Sequence, residues 1–247
     1  MGFVRRVVVL DTTGSTNDDA RRLAAEGAPE GTVVVAERQT AGRGRLGRAW
    51  ESPERLGLYL SVVLRPPDPP ERLGRYAIAA AVGVCAACRE LAGDAVVLKW
   101  PNDLLVGGRK LGGILSELRH GESGADLVVG IGLNVEHTAE DFGDALDGRA
   151  TSLAIVRNGG PIGREDAAVA VLRSFGDVLA RLRAGAWPEV AERFLRYAPH
   201  ATGRRVRLAS GEVGVTSGLD ESGALRVDTA GGRMLAHASE SVTLIEE

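Results

Sequence analysis

The sequence predicts an α+β chain: a mixed β-sheet with flanking helices, followed by a small all-β unit. Three observations predict this. Short β-branched or alternating runs are interleaved with Ala-rich and amphipathic stretches as far as Tyr197. Composition shifts near Pro199, and short strand patterns then follow, divided by Ser210-Gly211, Glu221-Ser222-Gly223 and Gly231-Gly232. The 247 residues suffice for one large domain plus a small appendage. The expected division is 1–199 and 200–247.

The elements follow in order. Val4–Asp11 is short and β-branched and reads as a strand. Ser15-Thr16-Asn17 offers N-caps for a helix to Glu26, closed by Gly27. Thr32–Glu37 is a second strand, and Arg38–Ser52 a polar Gly/Arg-rich loop. Gly57–Arg65 alternates and reads as a third strand, before the rigid turn Pro66–Pro70. Arg72–Leu91 is an Ala-rich helix. Val96–Trp100 is a strand stopped by Pro101. Leu104–Val106, Gly107-Gly108 and Lys110–Leu118 form a hairpin. Leu127–Val135 is a strand, Glu136–Gly148 irregular and acidic. Helices follow at Glu165–Arg183 and Trp187–Tyr197.

Composition excludes several classes. Hydrophobic residues make up 44% and charged residues 26%, as in an ordinary folded protein. The net charge of −3 argues against a general polyanion-binding surface, so local arginines carry more meaning. No apolar run reaches the roughly 18 residues of a membrane span. Arg5 and Arg6 interrupt the N-terminal apolar stretch, so no signal peptide is read and a cytoplasmic location is expected. Cys85 and Cys88 could be a redox pair or half a zinc site, but no second Cys pair and no His at ligand spacing exists, so they read as small buried residues at i, i+3 on a packed helix. His120, His137, His200 and His237 are scattered and read as surface or packing residues.

Four segments bear chemistry. Gly42–Trp50 alternates arginine and glycine (Arg43, Gly44, Arg45, Gly47, Arg48) before Trp50. Glycines let backbone approach a ligand, arginines fork onto phosphate or carboxylate, and an indole covers a ring. The segment reads as a lid over an anionic, partly apolar ligand, or as a plain surface turn or RNA-binding tract. Lys99-Trp100-Pro101-Asn102-Asp103 ends a strand in a forced turn with a cation, an amide and a carboxylate. Such oxygens suit Mg²⁺, while a structural Asp-capped turn reads equally well. Lys110-Leu111-Gly112-Gly113-Ile114-Leu115 sets a lysine on an apolar strand; with Lys99 it flanks one hairpin, so both can face one cleft, although a lysine there can also snorkel outward. Gly130-Ile131-Gly132-Leu133-Asn134 is a weak Gly-x-Gly without a following helix, in which Asn134 could bond a nucleotide or cap a turn.

Taken together and in this order, these segments resemble the biotin–protein ligase family, with Ser15-Thr16-Asn17 and Gln39-Thr40 adding to the match. The resemblance is strong from about Leu10 to Asn134 and is one of pattern only in the C-terminal unit. It implies a class II synthetase-like catalytic domain with an SH3-like β-barrel behind it. It implies two steps: biotin carboxylate attacks the α-phosphate of Mg·ATP to give biotinyl-5′-AMP, and a lysine of a biotin carboxyl carrier protein then takes the biotin. By matched position, Ser15, Thr16, Asn17 and Gln39 would bond the ureido ring. Arg43, Gly44 and Arg45 would close over carboxylate and phosphate, and Lys110 would hold the reacting oxygens. Lys99, Asn102 and Asp103 would serve the triphosphate and Mg²⁺, Arg48 and Asn134 the nucleotide, and Trp50 would shield the adenylate. Lys110, Arg45 and Lys99 are the catalytic candidates.

Departures are noted. Leu46 stands where some relatives have a basic residue, and Ser239-Glu240-Ser241 where a glycine is frequent. Ser15 lies 14 residues from Met1, too few for the winged helix-turn-helix of repressor relatives, so no DNA partner is expected. Homodimers through the central sheet occur in the family, and the sequence leaves oligomeric state open. The competing readings are a lipoate–protein ligase, a non-catalytic biotin-responsive regulator, and an RNA-binding protein using the arginine loop.

Overall fold

The computed structural model describes residues 3–121, 124–146, 148–157, 160 and 162–245. The first strand, β1 (Arg6–Thr13), begins two residues later than the pattern predicts. Just ahead of it, the Phe3 ring packs edge-on against Phe175 at 5.5 Å and so serves the core. Helix α1 (Thr16–Ala25) follows, with Ser15 at its N-cap making no side-chain cap bond. Strands β2 (Thr32–Gln39) and β3 (Gly57–Leu64) flank the Gly/Arg loop. Every residue of β3 is buried, so the expected alternation is absent. Both faces are covered, α1 packing on one side and α5 on the other.

Helix α2 (Gly74–Ala92) leads to β4 (Val96–Lys99), β5 (Asp103–Val106), β6 (Arg109–Gly121) and β7 (Gly124–Asn134). The segment read as irregular holds a 3-10 turn at Glu140–Phe142 and the short helix α3 (Gly143–Leu146). A further short helix, α4 (Leu153–Val156), went unread; Ser152 caps it by accepting from the Ile155 N–H at 3.1 Å. Helices α5 (Arg164–Arg183) and α6 (Trp187–Tyr197) match their predicted spans to within a residue.

The main sheet has seven strands in the order β1-β2-β3-β7-β6-β5-β4. Only β1–β2 is parallel, with α1 as the crossover; all other neighbours are antiparallel. On one face α1 closes a small core of Ala20, Leu23, Ala24, Val34, Val63 and Val128. The opposite face carries the large core, where α2, α5 and α6 pack and the Ala79–Ala81 run lets helices approach closely. Cys85 and Cys88 lie wholly buried there, and burial pushes the Cys85 thiol up to about 12. This supports the packing alternative for the pair.

The C-terminal strands are β8 (Thr202–Leu208), β9 (Val213–Leu219), β10 (Leu225–Thr229), β11 (Gly232–Ala236) and β12 (Val242–Leu244). They form a separate antiparallel sheet in the order β11-β10-β9-β8-β12. Closure into a barrel, which the resemblance implies, is not part of this pairing. The Asp220–Ala224 turn of this sheet is held by Asp220 Oδ1, which accepts from the Ser222 and Ala224 N–H groups. The turn sits against the main sheet: Trp100 Nε1 donates to Gly223 O at 3.4 Å and Arg75 pairs with Glu221 at 3.0 Å. Among the described residues no helix is long and apolar enough to cross a membrane.

Candidate active site

One cleft of about 550 Å³ opens along the sheet between α1, the Gly/Arg loop, the β5–β6 hairpin and the C-terminal strand β12. It gathers Ser15, Thr16, Asn17, Gln39, Arg43, Gly44, Arg45, Arg48, Trp50, Lys99, Asn102, Asp103, Lys110 and Asn134, which are all the predicted site residues.

The first end of the cleft is a hydrogen-bonded network at the start of α1. Ser61, fully buried in the middle of β3, donates toward Thr16 Oγ1 at 2.7 Å and Asn17 Oδ1 at 2.6 Å. Its single proton serves one of these at a time. Asn17 Nδ2 donates to Glu117 at 2.6 Å and to Leu115 O at 3.3 Å. Gln39 Oε1 accepts from the Thr16 amide and hydroxyl, while Gln39 Nε2 donates to Ser52 Oγ at 2.8 Å. Glycine is required beneath this network. A Cβ at Gly130 would fall inside the Asn17 carboxamide, and one at Gly132 would meet the Trp50 indole at 2.7 Å. The weak Gly-x-Gly of the sequence is thus a flat floor that lets Asn17 and Trp50 lie on the sheet.

The arginine loop is the second wall. Its backbone is laced: Trp50 N donates to Gly42 O at 2.9 Å and Gly44 N to Arg48 O at 2.7 Å. Its apex is a 3-10 turn, Arg45–Gly47, with Leu46 at φ 57° and well exposed. Arg43 forks onto Asp18 with two 2.7 Å bonds, which fixes the root of the loop to α1 and holds the Asp18 carboxyl below its usual range. Any role for Arg43 toward a substrate anion requires that pair to open. Arg45 points inward instead. It donates to Asn102 Oδ1 at 3.2 Å and to Glu240 O at 2.8 Å. Burial pulls the Arg45 guanidinium below its ordinary range, Asp103 opposes that, and Arg48 adds to it. An anion in the cleft would relieve this cost.

The third wall is the β5–β6 hairpin. Lys110 Nζ pairs with Asp103 Oδ1 at 2.7 Å and stands 5.5 Å over the Trp50 ring. Asn102 Nδ2 donates to Ile114 O at 2.7 Å, so the turn after β4 is tied to β6. Asn134 spends its amide on Thr151 O at 3.0 Å and Lys110 O at 3.4 Å, so it braces the β6–β7 end. Trp50 Nε1 is buried without a partner, a donor left over for a ligand.

Several residues that line or support the cleft carry little sequence signal. Ser61, behind the cleft, has one, as the lone polar residue inside an apolar strand. His137 has none: it is buried, stacked on Phe142 at 5.1 Å, and burial holds its imidazolium below the usual range. Glu240 to Thr243 enter from a separate sheet, which no local pattern announces. The side chain of His120 lies outside the described residues. Among the described residues no three His, Cys, Asp or Glu side chains cluster as a metal cage. Asp103 stands beside Asn102 in the cleft without a cluster of further carboxylates, which fits a Mg²⁺ carried in by phosphates better than a resident ion.

Fold and cleft together define a class: a mixed-sheet protein whose cleft has a polar hydrogen-bonded network at one end and an arginine loop along one wall. The chain belongs to the biotin/lipoate A/B protein ligase family, whose model matches residues 9–134. It is similar to the biotin–[acetyl-CoA-carboxylase] ligase of Mycobacterium tuberculosis, 36% identical over 97% of this chain and 90% of that one. The bifunctional ligase/repressor BirA of Bacillus subtilis is 42% identical over 61% of this chain, a match that spans 46% of that protein. In structure, it resembles the Aquifex aeolicus biotin protein ligase in complex with biotin and ATP, with a TM-score of 0.83, 29% identity, and coverage of 98% of this chain and 100% of that one.

Proposed function

We propose that this protein is an ATP-dependent biotin–protein ligase. It forms biotinyl-5′-AMP from biotin and ATP and passes the biotin to a lysine of a carboxylase's biotin carboxyl carrier domain. The observation that carries this is the convergence of the Ser15–Asn17 network, the Arg45 lid and Lys110 on one cleft. The names of the ligases from Mycobacterium tuberculosis and Paracoccus denitrificans, the latter 31% identical over 94% of this chain, support the substrate class.

The chemistry follows from position. Ser15, Thr16, Asn17 and Gln39 meet the ureido head with donors and acceptors set by Ser61 and Ser52. Trp50 lies over the ring system and excludes water. Lys110 exchanges Asp103 for the biotin carboxylate and holds it in line with the α-phosphate. A carboxylate oxygen attacks phosphorus, and the bond to the β-phosphate oxygen breaks with its electron pair leaving on pyrophosphate. Arg45, Arg48 and Lys99 balance the charge that grows on the phosphate oxygens. Mg²⁺ travelling with ATP supplies further charge neutralisation, with Asp103 and Asn102 the residues that would contact it or its waters. In the second step the carrier amine attacks the acyl carbon, AMP leaves, and the amine proton is lost. Catalysis is positioning and electrostatics, without a covalent enzyme intermediate. We place the catalytic unit at residues 1–199 and the C-terminal unit at 200–247, supported by sheets that pair only within themselves.

The test is incubation with labelled biotin, Mg·ATP and a carrier domain. Label on the carrier lysine is expected; an unlabelled carrier with folded protein sinks the reading.

A further inference from the structure

The carboxamide of Asn17 has its direction chosen for it. Glu117 Oε2 lies 2.6 Å from Nδ2, and Leu115 O lies 3.3 Å from it. A carboxylate and a peptide carbonyl only accept, so the group facing them is the NH2, and both of its protons are spent there. The oxygen is left on the other side, where Ser61 Oγ stands at 2.6 Å and a Cβ at Gly130 would overlap it. With a lone pair still open, Asn17 offers a ligand in the cleft an acceptor and no donor. Glu117 itself stands behind the cleft on β6. It pairs across to Val128, so its side chain projects from the face of the sheet that α1 covers. Its second oxygen, Oε1, faces Arg21 at 3.6 Å and Arg43 at 3.9 Å, the two arginines that also meet Asp18. The carboxylate is thus held from its far side while it holds Asn17 from the near one.

We propose that Glu117 is a positioning residue for substrate selection: by holding the Asn17 NH2 it turns the carboxamide oxygen to the cleft and so selects a ligand whose head carries a ring N–H. The assignment rests on the ligase reading and deepens it. The ureido ring of biotin has such donors, and the dithiolane ring of lipoate has none. Among the partners of Asn17, Glu117 supplies the charged bond, which is the strong one. Without it the carboxamide turns more freely, and a ligand must fix it at the moment of binding. The selecting residue is therefore one that never touches the substrate.

Biotin is titrated calorimetrically into the full chain and into Glu117→Ala, Glu117→Asp and Glu117→Gln variants checked by circular dichroism. Adenylate synthesis is measured alongside, with biotin and ATP varied separately. Glu117→Gln keeps an acceptor at the same reach and is expected to bind biotin within about threefold of wild type. Glu117→Asp keeps the charge but draws it back by a methylene, and Glu117→Ala removes it. Both are expected to weaken biotin binding and raise the KM for biotin by about tenfold, leaving the KM for ATP unchanged. If Glu117→Ala does not fold, the Asp and Gln variants carry the test. Cyclic carbamate analogues of biotin, with oxygen in place of one or the other ring N–H, are titrated as well. The isomer that sets its oxygen against Asn17 is expected to be insensitive to Glu117→Asp. Wild-type affinity for biotin in Glu117→Asp overturns the assignment, as does a loss in Glu117→Gln as large as in Glu117→Asp. An equal rise in both KM values, or an equal loss for biotin and both carbamates, marks a general collapse of the cleft and also overturns it. A wild-type chain that binds no biotin sinks the ligase reading and the assignment with it; a wild type that binds biotin, with variants that bind it as tightly, sinks the assignment alone.

Discussion

Lys110 and Asp103 are ion-paired at 2.7 Å across the β5–β6 hairpin, inside the cleft. In the proposed reaction the pair keeps a lysine poised where the biotin carboxylate would arrive, with its counter-ion within reach. We expect Lys110→Ala to cut adenylate synthesis by roughly 100-fold or more, the scale of losing a preorganised cation at developing charge. Both groups are partly exposed, so thermal unfolding followed by circular dichroism should shift little. Unchanged adenylation in a folded variant would remove Lys110 from the mechanism.

Ser61 organises the other end without reaching into the open cleft. Ser61→Ala leaves the Thr16 and Asn17 side chains short of a partner in a buried place. A cost of about 1–3 kcal/mol is expected in denaturant unfolding. The KM for biotin should rise while the KM for ATP holds. A variant with wild-type biotin affinity would show that the network is only structural.

Arg45 bridges the loop to Asn102 and to Glu240 O. Arg45→Ala should loosen the loop, so that labelled biotinyl-5′-AMP escapes to solution faster than from wild type. Trypsin should also cut the Arg43–Arg48 segment sooner, and biotin with ATP should protect wild type more than the variant. Equal cleavage in all four samples would deny the loop its role as a lid.

His137 gives a pH signature. Burial lowers its pKa from the ordinary 6.5, so the fold prefers the neutral ring. The unfolded chain therefore binds more protons in the window below pH 6.5, and stability rises with pH there. Its contribution is complete above 6.5 and is lost as pH falls through the lowered folded value. His137→Gln should flatten that part of the stability curve, as read by denaturant midpoints from pH 5 to 7 (about the range in which histidine titrates). An unchanged slope would refute it.

Most strands, the three long helices and the cleft were legible because each has a local cause. β-Branched runs, Ala-rich periodicity and the Gly/Arg alternation all act within a few residues. What was missed depends on contacts distant in sequence. β3 read as half-exposed because its pattern carries Ser61 and Tyr59, yet helices cover both faces and Ser61 is satisfied by α1. Nothing local reveals that Asp18 meets Arg43, the residue read as an anion ligand. Asn134 reads as a nucleotide contact or a turn cap, and no local pattern shows that its Nδ2 donates to the Lys110 and Thr151 carbonyls. Glu240 joins the cleft only through the docking of a second sheet.

That docking gives an inconspicuous stretch an outsized duty. The Asp220–Ala224 turn has the make-up of an ordinary surface connection, the kind that drifts freely among relatives. Yet its Gly223 carbonyl backs the Trp100 indole, next to the turn that presents Lys99, Asn102 and Asp103. A one-residue insertion there would tilt the Lys99–Asp103 side of the cleft from behind, and is expected to be felt as slower turnover in a protein that still folds. The tail of the chain is therefore expected to tolerate change least where it looks most like packaging.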